Sequence, residues 1–354
     1  MKTPFRRLMI SEPARAIEFG AAIIERFQAD GKEVFVCVDD NALESLVSRD
    51  ERWTLFVGAR PPMPWLKNAE HGSLAVRHEE YYVNAELGCQ ASCAYCFLRG
   101  MDVGLRPLRL YVDFENLAAT IEMLLDQEGP DVLFAPGELS DSLGNTDLYP
   151  LGPELVRLFQ RLGRGSLELR TKSDCVQALP VIEGESRTVA AFSISPQTFI
   201  DKNEPGTASL EQRLFAARIC QEKGYPVAFK VEPIVINDDT LPSYRALINE
   251  MSRCVDMARI HHVTLGCLRW SDSLAENPTF QKHYGKDISN ATWLSYREGK
   301  KNGTYSDDLR QSVYHDIARW FIEAGTPNSF HLSLETEGIV EAFRVGLQTS
   351  MARS

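Results

Sequence analysis

A long alternation of strand-like and helix-like segments constrains the fold of this 354-residue chain more than any other feature. From Tyr81 onward, short apolar runs recur, such as DVLFAPGE, TVAAFSIS and PVAFKVEPIV. Between them, apolar residues recur at helical spacing, as in FENLAATIEMLLDQEG and ASLEQRLFAARICQEKG. Strand-helix repeats with short connections favour a parallel sheet, either open or closed into a full or partial β/α barrel, with the site at the carboxyl ends of the strands.

Three segments are predicted along the chain. Residues 1–75 form a small N-terminal α/β unit, from a strand in FRRLMI, a helix in ARAIEFGAAIIERFQADG and a strand in EVFVCV, followed by the Pro-rich linker ARPPMPWLKNAEHGS. Residues 76–270 carry the β/α alternation. Residues 271–354 are polar and irregular, then helical, and are predicted to form a C-terminal cap.

Composition and charge exclude several classes of protein. With 44% apolar and 25% charged residues, the chain is neither disordered nor collagen-like. A net charge of −11 weakly repels phosphate polymers and disfavours non-specific DNA coating. No apolar run approaches the roughly 20 residues needed to span a bilayer, and the first residues lack a signal segment. We expect a cytoplasmic enzyme that does not act at a membrane.

Three of the eight cysteines, Cys89, Cys93 and Cys96, are grouped in LGCQASCAYCFLRG. Thiolates spaced C-x3-C-x2-C after a strand can hold three irons of a [4Fe-4S] cluster and leave the fourth iron open. An open iron can chelate a methionine moiety, and the reduced cluster can cleave its sulfonium. The predicted cofactors are therefore a [4Fe-4S] cluster and S-adenosyl-L-methionine (SAM), which yields a 5′-deoxyadenosyl radical. An external electron donor of the flavodoxin or ferredoxin type is the expected partner.

Two other interpretations of the cysteines stay open. Zinc also accepts three cysteines and one histidine, and His71 and His78 are the nearest histidines, although neither lies at a usual ligand spacing. The three residues could also be unrelated thiols. Spacing and position within the β/α series both favour the iron–sulfur interpretation.

The chain resembles the radical SAM superfamily and, within it, the spore photoproduct lyase family. The likeness lies in GCQASCAYCFLRG, APGELSDSLGNTDLYP, TKSD and FSISPQTFIDKNEPGTASLEQRLFAARICQEKGYPVAF, and it fades after Arg269. It implies an α/β fold with a partial (β/α)6 TIM-like radical SAM barrel. It also implies that Ser140 contacts the SAM amino group, that Lys172 pairs with the SAM carboxylate and that Ser193 makes a further SAM contact.

Glu138 is the main departure from the family pattern. It follows a barrel strand, where many radical SAM enzymes carry a Gly-Gly-Glu that holds the methionine amino group, so it is predicted to bind the cofactor and to take part in catalysis. The resemblance places the family's hydrogen-donating cysteine at this position, and a carboxylic acid cannot replace it. Of two family tyrosines beside the cluster, Tyr95 is retained and Phe97 replaces the other. Cys267 is the alternative hydrogen donor.

Lys230 and Glu232 lie two residues apart in PVAFKVEPIV and therefore on one face of an apolar strand. Two charges on the inner face of a barrel are costly unless they pair with each other or bind a polar ligand. A structural ion pair and a catalytic, substrate-binding role both stay open. The pair favours a small polar substrate.

Three functions follow. The preferred one is a radical SAM enzyme, related to spore photoproduct lyase, that abstracts hydrogen from a small polar substrate; the expected partner is a small molecule or a nucleotide. The alternatives are a DNA-repair lyase that splits a thymine photoproduct with a non-standard hydrogen donor, and a non-enzymatic Fe–S or zinc module. DNA is the less favoured partner, because the only counterpart of the family's DNA-facing hairpin is a short segment that a solvated turn explains equally well. Its basic and aromatic residues are Tyr296, Arg297, Lys300, Lys301 and Tyr305.

Overall fold

The computed structural model describes residues 4–48, 52–69, 79–101, 107–297, 300–327 and 329–351. These residues form two compact units. The first contains the described residues up to 92 and those from 107 to 188, and the second contains residues 93–101 and those from 189 onward. No helix within these ranges is long and apolar enough to cross a membrane.

The first unit alternates strands and helices. Its strands are β1 (Arg7–Ser11), β2 (Glu33–Cys37), β3 (Thr54–Gly58), β4 (Leu66–Asn68), β5 (Glu80–Val83), β6 (Glu86–Leu87), β7 (Arg109–Tyr111), β8 (Leu133–Pro136) and β9 (Ser166–Thr171). Its helices are α1 (Glu12–Arg15), α2 (Glu18–Ala29), α3 (Asp40–Ser45), α4 (Phe114–Glu128) and α5 (Leu151–Leu162).

A five-stranded sheet, in the order β2-β1-β3-β7-β6, contains more of the chain than the predicted N-terminal unit. The predicted β1, α2 and β2 are confirmed. However, β3 is buried at every residue and lies between β1 and β7, which pair with it in parallel. Such a strand needs partners on both edges, and β7 supplies the second one from within the predicted barrel region.

The segment YYVNAEL, predicted as one strand, forms parts of two sheets. Asn84 ends β5, because its backbone N–H donates to the Trp65 carbonyl at 2.8 Å and its side chain donates to the Pro64 carbonyl at 2.8 Å. The chain then enters β6, which pairs antiparallel with β7. The single-strand prediction was therefore wrong at Asn84.

Strands β9, β8, β5 and β4 are neighbours in that order, and all are parallel except β4. Helix α5 covers one face, on which Tyr81 stacks on Phe134 and Phe134 contacts Phe159, with ring centroids 6.2 and 5.2 Å apart. Because side chains alternate along a strand, the residues next to these positions in sequence point to the opposite face. We call that opposite face, which carries Glu80 and Tyr82, the inner face of the first unit.

The second unit has a parallel arrangement of strands in the order β15-β12-β11-β10. Its strands are β10 (Thr188–Ser193), β11 (Val227–Ile234), β12 (Ile260–Cys267), β13 (Thr292–Arg297), β14 (Lys300–Thr304) and β15 (Phe330–Leu332). Its helices are α6 (Gln197–Asn203), α7 (Leu210–Glu222), α8 (Thr240–Cys254), α9 (Asp272–Ala275), α10 (Pro278–Ser289), α11 (Asp307–Glu323) and α12 (Glu337–Met351). Two short 3-10 turns span Phe97–Gly100 and Met257–Arg259.

The C-terminal region is more regular than predicted. Helix α11 is confirmed, but the preceding segment forms an antiparallel hairpin of β13 and β14, and β15 extends the parallel sheet beside β12. In the segment compared with the family's DNA-facing hairpin, Lys301 is exposed, whereas Tyr305 is buried and donates to Asp287 Oδ1 at 2.7 Å. Tyr305 therefore cannot wedge into a base stack as it stands. The side chains of residues 295–300, including Tyr296, Arg297 and Lys300, lie outside the described residues.

Candidate functional site

The loop after β8 carries Glu138 and Ser140 and is held tightly at its start. Gly137 has a φ of 88°, and a Cβ there would lie 2.6 Å from Ser142 Oγ. Only glycine fits such a turn without strain. Ser142 Oγ donates to the Pro136 carbonyl at 2.7 Å and accepts from the Arg170 backbone N–H at 2.9 Å, so the loop is fixed between the ends of β8 and β9.

Asp141 joins this loop to Lys172. Its Oδ1 accepts hydrogen bonds from the Gly144 N–H at 2.9 Å and from Thr171 Oγ1 at 2.6 Å. Its Oδ2 accepts from the Lys172 backbone N–H at 2.7 Å. The structure therefore brings the backbones of Ser140 and Lys172 together at the carboxyl ends of β8 and β9. A shared role in binding SAM requires this proximity.

Glu86 is a buried carboxyl group behind Ser140 that the sequence did not indicate. Its Oε2 accepts from Ser140 Oγ at 3.3 Å and from Asn145 Nδ2 at 2.9 Å. Asn145 Oδ1 in turn accepts from Gln90 Nε2 at 2.7 Å, next to Cys89 in the chain. Burial, with a smaller contribution from the nearby Asp141 carboxylate, raises the pKa of Glu86 to about 8. These contacts link the predicted SAM contact to the start of the cysteine loop.

Charged and polar side chains line the inner face of the first unit. Arg170 Nη2 lies 2.7 Å from Glu80 Oε1, and Arg170 Nε donates to Glu168 Oε1 at 2.5 Å. Tyr82 shares this face with Glu80, one strand away from the small residue Ala135. This group was not predicted from the sequence, although Glu80 and Tyr82, like Glu168 and Arg170, show the same two-residue spacing that singled out Lys230 and Glu232.

The second and third cysteines lie in the second unit. Cys93 is buried and Cys96 is half-buried, while Phe97 beside them is exposed. The Ala94 N–H donates to the Asn203 carbonyl at 2.8 Å, and Arg99 Nε donates to the Cys93 carbonyl at 2.8 Å. The NEPGT segment, part of the resemblance noted above, therefore supports this part of the cysteine loop.

Tyr95 is held by a buried ion pair. Its hydroxyl donates to Glu204 Oε1, and Glu204 Oε2 accepts from Arg213 Nη2 at 2.5 Å. Arg213 and Glu204 are both fully buried in their side chains. Burial raises the pKa of Tyr95 well above its ordinary value, and the negative charge of Glu204 raises it further. Arg213 Nη1 also donates to the carbonyl of Ser193 at 2.9 Å, at the end of β10.

Lys230 and Glu232 form the predicted pair on one face of β11. Lys230 Nζ lies 3.8 Å from Glu232 Oε2; Lys230 is buried and Glu232 is half-buried. A Cβ on Gly266 of β12 would lie 2.9 Å from Glu232 Oε1, so glycine makes room for this carboxylate. The structural ion pair is therefore present.

Cys267 lies on the other face of β12. Because side chains alternate, Cys267 and Gly266 point in opposite directions, and Gly266 is the one beside Glu232. The Cys267 backbone N–H donates to the Tyr314 hydroxyl of α11 at 2.9 Å. Burial raises the pKa of the thiol to about 12. This position packs against a helix and does not support Cys267 as a hydrogen donor on the face that carries Glu232.

The sulfur donors suit the predicted cluster in their chemistry. Three thiolates are soft ligands of the kind that hold iron–sulfur clusters. Cys89 belongs to the first unit and Cys93 and Cys96 to the second. Across the described parts of the chain, no three His, Cys, Asp or Glu side chains are arranged to hold a metal ion. The cluster therefore stays a prediction; His71 and His78, the candidates for a zinc site, lie outside the described residues.

Comparison with known proteins identifies relatives along most of the chain. The family model "Spore photoproduct lyase" matches residues 9–323. The spore photoproduct lyase of a Geobacillus species is 25% identical over 343 residues, covering 92% of this chain and 98% of that protein. The Bacillus subtilis spore photoproduct lyase is 24% identical over 297 residues, covering 81% of this chain and 84% of the relative.

Solved structures show the same fold. Spore photoproduct lyase complexed with dinucleoside spore photoproduct gives a TM-score of 0.77 at 22% identity, covering 93% of this chain and 99% of that chain. A doubly substituted spore photoproduct lyase with bound AdoMet and dinucleoside spore photoproduct gives a TM-score of 0.77 as well. The prediction of an α/β fold with a partial (β/α)6 TIM-like barrel is confirmed. The chain belongs to the spore photoproduct lyase family, whose members are radical SAM lyases.

Proposed function

We propose that this protein is a radical SAM lyase that splits a thymine-derived dinucleotide photoproduct into separate thymines. The observation that carries the proposal is the family match over residues 9–323, which includes every predicted site residue. Two similar structures contain dinucleoside spore photoproduct. This substrate replaces the small polar molecule predicted from Lys230 and Glu232, because the family match favours a nucleotide and that charged pair is satisfied internally.

The proposal assigns the [4Fe-4S] cluster to Cys89, Cys93 and Cys96. The cluster, reduced by a flavodoxin- or ferredoxin-type donor, supplies the electron that cleaves SAM reductively. The buried position of Cys93 and the hydrogen bonds that Ala94 and Arg99 donate support the assignment, because they hold this part of the loop in place.

SAM is assigned to Ser140, Lys172 and Ser193, and the first unit's geometry supports the first two of these residues. A serine hydroxyl has one hydrogen to donate and two lone pairs to accept with. Ser140 donates its hydrogen to Glu86, so its lone pairs are left for an ammonium group. Lys172 provides a point charge for a carboxylate at the same end of the strands, and Asp141 fixes the backbone of Lys172 there.

The carboxyl group of Glu138 fits a polar role and not the donation of a hydrogen atom. The O–H bond of a carboxylic acid is too strong to give up a hydrogen atom to a carbon radical. Glu138 instead acts through its charge: it is one of the groups that raise the pKa of Tyr82 on the inner face. A product radical formed at this site needs another donor.

The function is tested with the anaerobically reconstituted full chain, a strong one-electron reductant and SAM. We expect 5′-deoxyadenosine and methionine, and restored thymine when a dinucleotide carrying the photoproduct is added. Undamaged dinucleotide and Cys93→Ala protein are the controls. SAM cleavage without thymine would refute the substrate but not the radical chemistry. An intact cluster with no SAM cleavage would refute both.

A further inference from the structure

We propose that Tyr82 donates the hydrogen atom that quenches the product radical in this protein. The inference rests on the proposed function, because it names the donor for that reaction. Splitting a carbon–carbon bond by a radical route leaves one unpaired electron on a base. A hydrogen atom must then come from a weak X–H bond nearby, and a phenol offers one.

The position of Tyr82 fits this role. It is the penultimate residue of β5, opposite Ala135 of β8, and β8 leads directly into the loop of Glu138 and Ser140. Its neighbour Tyr81 stacks on Phe134 on the side of α5, so alternation directs Tyr82 to the inner face. In β/α barrels this face lines the lumen below the site at the carboxyl ends of the strands. The side chain of Tyr82 is only half-buried, so a ligand can reach it.

The surroundings of the two candidate tyrosines differ. Arg170 acts on the Tyr82 side chain through its positive charge, and because a guanidinium has only donors it cannot accept the phenolic hydrogen. The hydroxyl of Tyr95, in contrast, donates its hydrogen to the buried Glu204. Of these two phenols, Tyr82 has the hydrogen that can be transferred to a substrate.

Electrostatics keep that hydrogen in place. Burial raises the pKa of Tyr82 above its ordinary value, and the charges of Glu138 and Glu80 raise it further, while Arg170 opposes them. The phenol is therefore protonated across the neutral range. Because a phenolic hydrogen still exchanges with solvent, it becomes deuterium in D2O.

The O–H bond of Tyr82 breaks homolytically and a C–H bond forms on the thymine radical, which leaves a tyrosyl radical. One electron from the flavodoxin- or ferredoxin-type donor and one proton, delivered from solvent through Glu138, restore the phenol. The 5′-deoxyadenosine formed in the first step is not reconverted. Each repair event therefore consumes one SAM.

The experiment compares wild-type protein, Tyr82→Phe and the matched control Tyr81→Phe in D2O. We expect wild-type protein to place one solvent deuterium in the repaired thymine. Tyr82→Phe should lower repaired product at least about tenfold, while 5′-deoxyadenosine formation and the Kd for SAM change by no more than about twofold. Tyr81→Phe should match wild-type protein in each measurement, because its hydroxyl lies on the α5 side.

Two results would overturn the proposal. One is deuterated thymine from Tyr82→Phe at the wild-type rate. The other is a parallel loss of product, 5′-deoxyadenosine and SAM affinity, which would make Tyr82 a support for SAM binding. A control reaction in D2O without substrate distinguishes failure of this proposal from failure of the proposed function. If wild-type protein restores no thymine, the deuterium content of the 5′-deoxyadenosine formed in that control is compared between the proteins. It should be at least about fivefold lower with Tyr82→Phe than with wild-type protein, and equal content would exclude Tyr82 as the donor.

Discussion

Replacement of Glu204 by glutamine tests how the second unit holds its part of the cysteine loop. Arg213 is fully buried and reaches Glu204 Oε2 at 2.5 Å. Glu204→Gln keeps the shape and an acceptor for the Tyr95 hydroxyl but removes the counter-charge. A buried charge left without its partner typically costs about 3–5 kcal/mol.

The remaining contacts of Arg213 set the expected magnitude. Its guanidinium still donates to Thr207 Oγ1 at 2.6 Å and to the carbonyls of Ser193 and Ala208, each at 2.9 Å. Since these neutral acceptors solvate part of the charge, we expect the lower end of the range, about 3 kcal/mol. At about 2–4 °C per kcal/mol for a unit of this size, the Tm should fall by roughly 6–12 °C.

Thermal and urea unfolding, followed by near-ultraviolet circular dichroism, measure this loss. Glu222→Gln is the matched control on the same helix, α7. Glu222 Oε1 lies 3.7 Å from Arg218 Nε, and both side chains are about half exposed or more, at 67% and 49%. Such exposed pairs contribute about 0.3–0.5 kcal/mol. A loss below about 1 kcal/mol for Glu204→Gln would show that Arg213 needs no counter-charge.

Three further predictions concern stability and the two cofactors. Burial raises the pKa of Glu86 from 4.5 to about 8, so the folded state holds the proton more tightly and wild-type stability should fall as pH rises through this window, by up to about 1.4 kcal/mol per pH unit. Urea unfolding at several pH values should show this fall in wild-type protein and not in Glu86→Gln; identical pH profiles would contradict it. Cys93→Ala should abolish the brown absorption of the reconstituted cluster and Cys220→Ala should retain it, and equal loss in both would disprove the ligand assignment. Asp141→Asn, which loses an acceptor at Lys172, should weaken equilibrium SAM binding about tenfold or more, and an unchanged Kd would refute this role for the loop.

Local periodicity predicted the elements that bury one continuous face. Helix α4 spans Phe114–Glu128 and strand β11 spans Val227–Ile234, close to the segments that the sequence indicated. Strand β6 has two residues, too few to show any period, and its separation from β5 depends on hydrogen bonds from Asn84 to Pro64 and Trp65. These partners lie about twenty residues away in sequence, so no local pattern could reveal them.

The residues of the candidate site also divide into those that a local sequence pattern reveals and those that it does not. The cysteine spacing and the pair Lys230 and Glu232 were visible because their spacing alone carries the chemical meaning. Glu86 was not, because its importance depends on its burial behind Ser140, which lies 54 residues further along the chain. Tyr82 gains its meaning from Arg170 on another strand. Such roles depend on strand order and burial, which a single sequence does not specify.

Through the short strand β6, the amino-terminal part of the chain bears on the start of the cysteine loop, although the two are far apart in sequence. Cys89 follows β6 by two residues. Strand β6 pairs with β7, and β7 pairs with β3. A shortened protein starting near residue 76 would keep all three cysteines yet expose the edge of β7 that β3 now covers. Strand β3 therefore supports, through β7 and β6, the start of the loop that carries the cysteines.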